Sequence, residues 1–469
     1  MIDDLRIHAA REGAPRPGGE FVLYWMQGVA MRSTANFALN FAVEQANALG
    51  VAVLVYQGLR HDYPWANDRH HTFILESAAD LYRGLAERGI RYAFYLETVA
   101  EQAERGRRES PLVALARRAA LVVTEFYPTF IQPRQLKRLR EKTDTPVVAV
   151  DTTTVVPLRF HEREYPAARS IRPVLMEALP HHLFPVPNPE PDRQGRIEVP
   201  FAEPLSADTD AAAIAALVAA CDIDHSVAPS PTLRGGERAA RTRLAAFLKH
   251  GLPIYDEQRG DPNVDATSRL SSYLHFGNIA IQDVLLGARE AGPAPQYAKF
   301  LDEALVWREL AHNLTWFNPR HRSLDAVPEW ARKELADHAD DPRPARYSDE
   351  ELETARTGDR LWNACQLSLI RDGELHNYLR MLWGKSVLLW TENAAEALRI
   401  LEHLNHKYAL DGRDPNSYGG ILWCFGRYDR PFYRRPIFGT VRYMSLKAAE
   451  KKFDVPRYVT DQERRSNVT

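Results

Sequence analysis

The sequence predicts an α/β N-terminal domain with a doubly wound parallel sheet, joined by a long linker to an all-helical domain. Three observations predict it. Short apolar runs alternate with amphipathic helical stretches up to residue 157, prolines crowd the stretch that follows, and from Gly236 nearly every segment has helical periodicity. Alternation of that kind means βαβ units on a parallel sheet. At 469 residues the chain also exceeds one ordinary core, so two domains are expected.

In chain order, the leader MIDDLRIHAAREGAPRPGGE has no apolar core and does not read as a signal peptide. Glu20–Trp25 is the first strand, Asn36–Leu49 a helix, Val51–Tyr56 the second strand and Thr72–Arg88 the second helix. Tyr92–Tyr95, Leu121–Thr124 and Val147–Val150 complete the sheet, so the α/β domain spans residues 20–157. Such sheets bind ligands at the carboxyl ends of their strands. No GxGxxG occurs, and a dinucleotide held in the Rossmann manner is not indicated. Residues 158–235 read as a surface linker with one Ala-rich helix near Ala211–Cys221. The helical domain, 236–460, has helices at Glu237–Lys249, Asn278–Ala291, Gln296–Asn313, Arg360–Asp372, His376–Trp390 and Ala394–Leu404. The polar tail Thr460–Thr469 reads as loose.

Apolar content of 45% and charged content of 26% are those of a soluble globular protein. No run approaches the ~18–20 apolar residues a membrane helix needs. Cys221, Cys365 and Cys424 are odd in number and widely spaced, which points to a reducing cytoplasm and no disulfide framework. Neither CxxC nor HExxH occurs, so no metal site is expected. Net charge near −2 says nothing about a nucleic-acid partner, but charge placement does. Nine basic residues lie between Arg427 and Arg457: Arg427, Arg430, Arg434, Arg435, Arg442, Lys447, Lys451, Lys452 and Arg457. Such a cluster is as readily a solvated face as a phosphate-binding rim.

Three patterns in the helical half carry chemistry. In Tyr255–Gly277, Thr267, Ser268 and Ser271 offer hydroxyls just before a helix, with Arg269 among them, as a pyrophosphate-holding loop would. A helix cap with spare hydroxyls reads the same way. Glu303 and Trp307 are four apart and share a helix face, a carboxylate beside an indole that could hold a flat ligand or could be a core Trp and a solvated Glu. Trp383 and Trp390 lie two turns apart on one face, ~10 Å along the axis, either as packing or as stepping stones for an electron. Trp362 and Trp423 bring the count to four indoles in 62 residues.

Together these patterns resemble the photolyase/cryptochrome flavoproteins, and within them the class II cyclobutane pyrimidine dimer photolyases. TSRLSSYLHFG is similar to the family's flavin phosphate-binding loop. LWNACQLSLIRDGELHNYLRMLWGKSVLLWT and LNHKYALDGRDPNSYGGILW, with FGTVRYMSLKAAEKKFDV, are similar to its C-terminal stretches. The resemblance covers residues 20–457 and is strongest after Tyr255.

The resemblance implies an FAD bent inside the helical domain. Tyr255, Thr267, Ser268, Arg269, Leu270 and Ser271 would line its phosphates and ribityl chain; Arg380, Asp411, Gly412 and Arg413 would sit by the isoalloxazine, and Asn405 would face flavin N5. Glu303 would hydrogen-bond the damaged bases, Trp307 and Trp423 would wall the lesion, and Met381 would lie under it. Trp383, Trp362 and Trp390 would be the proximal, middle and distal members of an electron chain. Arg259 and Asp429 would brace the opened duplex, and Arg442 would fill the gap left by the extruded bases. The implied partner is double-stranded DNA containing pyrimidine dimers, met by a cytoplasmic monomer. The resemblance also leaves room for an antenna chromophore, a deazaflavin or a folate. The activity it implies is light-driven splitting of cyclobutane pyrimidine dimers, with blue-light reception without turnover as the alternative and a flavoprotein of another photochemical reaction as the third.

The sequence departs from the class II pattern in three places. Gln27–Asn36 reads QGVAMRSTAN where an Arg- and Asp-containing stretch is usual. The Trp423–Asp429 loop is one residue short, and Asn377 stands where Gly is common.

Overall fold

The computed structural model describes residues 2–104, 109–292 and 294–466. Its first half is built on six strands: β1 Ile7–Arg11, β2 Phe21–Met26, β3 Ala52–Leu59, β4 Arg91–Leu96, β5 Leu121–Glu125 and β6 Val147–Val150. Their order in the sheet is β1-β6-β5-β2-β3-β4. Strands β2 to β6 are parallel. Helices cover both faces of such a sheet, so its strands are buried throughout and read as unbroken apolar runs; β2 and β5 are buried at every position. The helix Phe37–Leu49 begins where the Asn36 side chain accepts from the N–H groups of Ala38 and Leu39, and ends at Gly50 with φ +64°.

Strand β1 pairs antiparallel with β6 inside what the sequence presents as a leader. IHAAR carries no apolar run; the open edge of β6 recruits it. A second difference lies in the linker stretch, where Ala168–His182 is helical despite Pro173 and Pro180 inside it. Those prolines hide it, because an interior proline ordinarily ends a helix. The tail is not loose up to Ser466, beyond which it lies outside the described residues: Val455–Ser466 is a helix, and its Gln462 and Arg465 bond Arg371 and Asp372 of the helix Arg360–Asp372.

From Glu237 onward the described residues are helices and loops. Arg69 fastens this half to the sheet half. Its buried guanidinium donates to the carbonyls of Leu369, Ile370, Arg371 and Tyr408, at the ends of Arg360–Asp372 and Ala394–Tyr408. Helix ends leave carbonyls unsatisfied and carry partial negative charge, so one buried cation serves two helices. Across the same junction the Tyr127 hydroxyl donates to Asp414 Oδ2, and Asp414 caps the helix Pro415–Cys424. No described helix is long and apolar enough to cross a membrane.

Candidate active site

The helix Asn377–Trp390 organises the site. Its Trp383 and the Trp362 of the neighbouring helix Arg360–Asp372 stack with ring centroids 6.3 Å apart and planes 9° from parallel. Trp390 meets Trp362 at 5.5 Å and 72°. Trp362 therefore stands between the two indoles that the sequence places on one face, and the order is Trp383, Trp362, Trp390. Hydrogen bonds fix both indoles of the stacked pair: Trp383 Nε1 donates to Gln366 Oε1 and Trp362 Nε1 to the Trp383 carbonyl, both at 3.0 Å. Tyr347 extends the row, 5.1 Å from Trp390.

Asn377, Arg380 and Met381 lie three and four apart on another face of the same helix. Arg380 Nη1 donates to Asn405 Oδ1 at 3.2 Å and Nη2 to Asp411 Oδ1 at 2.9 Å. Asn405 Nδ2 donates to Ser417 Oγ at 3.0 Å, which fixes which way this amide faces. Ser417, Gly420 and Trp423 follow at spacings of three on the helix Pro415–Cys424, and a Cβ at Gly420 would meet no protein atom within 4 Å. Open space thus borders this helix one turn before Trp423.

That indole stacks on Trp307, centroids 4.6 Å apart and planes 14° from parallel. Trp423 Nε1 donates to Asp429 Oδ1 at 2.9 Å. The sequence reads Gln296–Asn313 as one regular helix; the structure puts a π turn, Asp302–Trp307, between Ala294–Leu301 and Arg308–Phe317. The wider turn carries Glu303 and Trp307, and such turns concentrate at functional sites. Glu303 Oε1 lies 3.0 Å from Arg259 Nη1 and 3.1 Å from Lys299 Nζ.

The hydroxyl loop runs alongside. Thr267, Ser268 and Ser271 make no side-chain hydrogen bond within the described residues, and no side chain caps the helix Ser271–His275. Arg243 holds the carbonyls of Thr267 and Ser268. Arg269, at φ +51°, forks onto Glu374 at 2.6 and 2.8 Å. Leu270 and Tyr255 are buried, with Tyr255 beside Arg259.

Some expected residues are not brought together. Arg259 and Asp429 have different partners, Glu303 and Trp423. Arg413 sends its guanidinium to the sheet half, 5.8 Å from the Tyr63 ring and 5.4 Å from that of Phe130. A Cβ at Gly412 would sit 2.9 Å from the carbonyl oxygens of Ala409 and Asn405. Arg427 does not belong to the basic rim: it is buried, donating to the Ala326 carbonyl and pairing with Glu164. Arg430, Arg435, Arg442, Lys447, Lys451, Lys452 and Arg457 are exposed, and Arg434 pairs with Glu334 at its edge.

Sequence reasoning missed Lys299, Gln366, Ser417 and the aromatic tip Phe432–Tyr433. Lys299 is readable as the residue four before Glu303. Tyr433 is 92% exposed among arginines, and that mix in PFYRRP is a signal for contact with unpaired bases. Ser417 has no local signature.

A parallel-sheet half fastened to a helical half with a buried row of indoles defines a fold class. A crystal structure of a bacterial class III photolyase from Agrobacterium tumefaciens matches it with TM-score 0.67 at 19% identity, covering 96% of this chain and 86% of that one. The archaeal photolyase of Sulfolobus tokodaii, crystallised with two FAD molecules, matches with TM-score 0.64 at 17% identity over 94% and 90%. The sequence then narrows the class. A deoxyribodipyrimidine photo-lyase of Methanothermobacter thermautotrophicus is 36% identical over 460 residues, covering 98% of both chains. The chain belongs to the photolyase/cryptochrome family. No protein-family model matches it.

Proposed function

We propose that this protein is a light-dependent DNA repair enzyme, a deoxyribodipyrimidine photo-lyase of the class II kind. The cofactor FAD, when bound and reduced, supplies the photo-excited electron that splits the cyclobutane ring of a pyrimidine dimer. One observation carries the reading: the row of indoles Trp390, Trp362 and Trp383 ends on the helix that carries Arg380, Arg380 bonds Asn405, and Asn405 bonds Ser417, whose own helix carries Trp423 against Trp307.

The residues present fit the cofactor. Three free hydroxyls at an uncapped helix start suit a pyrophosphate. Arg380 and Asp411 offer a cation and an anion to a heteroaromatic ring edge, and the amide of Asn405 can donate or accept. A Cβ at Gly420 would meet open space, on the helix face that runs from Ser417 to Trp423.

On the substrate side, Glu303 between two cations is a carboxylate, an acceptor only, and so takes the imide N–H of a pyrimidine. Arg259 and Lys299 then stand where negative charge develops on the dimer, already in place before the reaction. Trp307 and Trp423 offer faces to flipped-out bases. The exposed cations from Arg430 to Arg457 hold phosphates of the duplex, and Arg442, with Phe432 5.7 Å from its guanidinium, fills the gap. In this reading residues 236–460 are the catalytic domain and residues 20–157 the domain where an antenna, deazaflavin or folate, would dock. The enzyme works as a cytoplasmic monomer.

The test is blue-light reversal of a thymine-dimer oligonucleotide by the reduced, flavin-loaded protein. Full flavin occupancy without reversal favours a blue-light photoreceptor instead.

A further inference from the structure

Lys385 lies two residues beyond Trp383, fully buried, and forms no ion pair among the described residues. Its Nζ donates to the carbonyl of Cys424 at 2.9 Å and approaches that of Trp423 at 3.5 Å. These are the last carbonyls of the helix Pro415–Cys424, where a helix carries about half a negative charge. The two helices come close because residue 384 is glycine: a Cβ there would sit 2.6 Å from Cys424 Sγ. A buried ammonium without a carboxylate is an expensive way to fill such a site, and methionine would pack as well. The charge therefore has a use, and what lies above it says which.

We propose that Lys385 is a positioning residue for the lesion wall, its ammonium group locking the last carbonyls of the Pro415–Cys424 helix so that Trp423 is held against Trp307. The inference rests on the repair reading above.

Asp429 is the second half of the device. One of its oxygens accepts from the Trp423 indole, and the other is buried without a partner. Burial pushes its carboxyl up, against the pull of the Trp423 N–H, Lys385 and Arg442. Lys385 is thus one of two cations whose field opposes that upward push. The groups facing Lys385 are Cys424 on the helix it caps, Asp429 in the turn and Arg442 on the C-terminal segment. Burial also pushes the Cys424 thiol up to about 11, so it stays neutral while Lys385 titrates. Burial pulls the Lys385 ammonium down to about 8. Mildly alkaline solution discharges it, and the wall loosens.

The experiment compares flavin-loaded wild type with Lys385→Met from pH 6.5 to 9.0. The first readout needs no DNA: the near-ultraviolet circular dichroism of the Trp307–Trp423 stack, taken as the difference from Trp423→Phe. The wild-type amplitude falls with a midpoint near pH 8, and the variant is low and flat throughout. The second readout is affinity for a duplex carrying one thymine dimer. Wild type weakens severalfold across the same midpoint, and the variant binds at the alkaline wild-type level at every pH. A wild-type amplitude that is flat with pH overturns the inference even if the variant does not fold. So does a variant with the wild-type amplitude and profile. If the stack titrates as expected but wild type binds dimer and undamaged duplex alike, Lys385 keeps its positioning role and the repair reading fails.

Discussion

Trp307 and Trp423 are stacked on each other, at the short end of the centroid distances that aromatic pairs adopt. No base fits between rings in contact. A flipped-out dimer must either dock against an outer face of the pair or part it. In both cases Trp423 contributes stacking worth ~1–3 kcal/mol per base, so Trp423→Ala weakens binding of dimer-containing duplex by roughly 5- to 150-fold. Affinity for undamaged duplex, set by the exposed cations, stays near wild type. Fluorescence anisotropy with matched oligonucleotides checks both, and equal losses on the two duplexes would take Trp423 out of lesion recognition.

Trp383 lies one turn beyond Arg380 on the same helix, and Trp362 reaches it by stacking and by a hydrogen bond to its carbonyl. Trp383→Phe removes the proximal stepping stone while keeping an aromatic ring in the core. Photoreduction of oxidised FAD nearly stops, whereas chemically reduced protein repairs dimers at close to the wild-type yield. Transient absorption of the flavin under blue light reads the first effect and single-flash repair the second. Undiminished photoreduction would remove Trp383 from the relay.

Glu303 bridges Arg259 and Lys299. In the repair reading Glu303→Ala leaves both cations in place to attract phosphate but removes the acceptor for the base. Repair yield per absorbed photon drops several-fold, and affinity for the damaged duplex changes less. An affinity loss with unchanged yield in the bound complex would contradict the assigned role.

The sheet was legible because a parallel strand buried on both faces leaves an unbroken apolar run; β1 was not, because its pairing with β6 is decided by an open edge far along the chain. The spacing of Trp383 and Trp390 was legible as one helix face. The insertion of Trp362 between them was not, since it comes from packing of a second helix. Periodicity could place Glu303 and Trp307 on a helix but could not reveal the π turn that carries them. Arg427 shows the same limit for charge: its partner Glu164 lies 263 positions away, and nothing in the local run of arginines sets it apart.

Glu309 follows that π turn and is buried, accepting from the backbone N–H groups of Val155 and Val156 just past β6. Burial pushes its carboxyl up to about 8, against the pull of the Val155 N–H and of Arg308. In the unfolded chain the same group titrates at the ordinary ~4.3. Between those two values the folded protein keeps a proton that the unfolded chain has released. The folded state binds more protons, so stability falls as pH rises through the window and levels off above it. Glu309→Gln keeps an oxygen for the two N–H groups and has no proton to lose. The variant's melting temperature relative to wild type therefore climbs between pH 5 and pH 8, as thermal unfolding of the two proteins side by side measures. A difference that stays constant over that range would mean that Glu309 is already ionised in the folded protein.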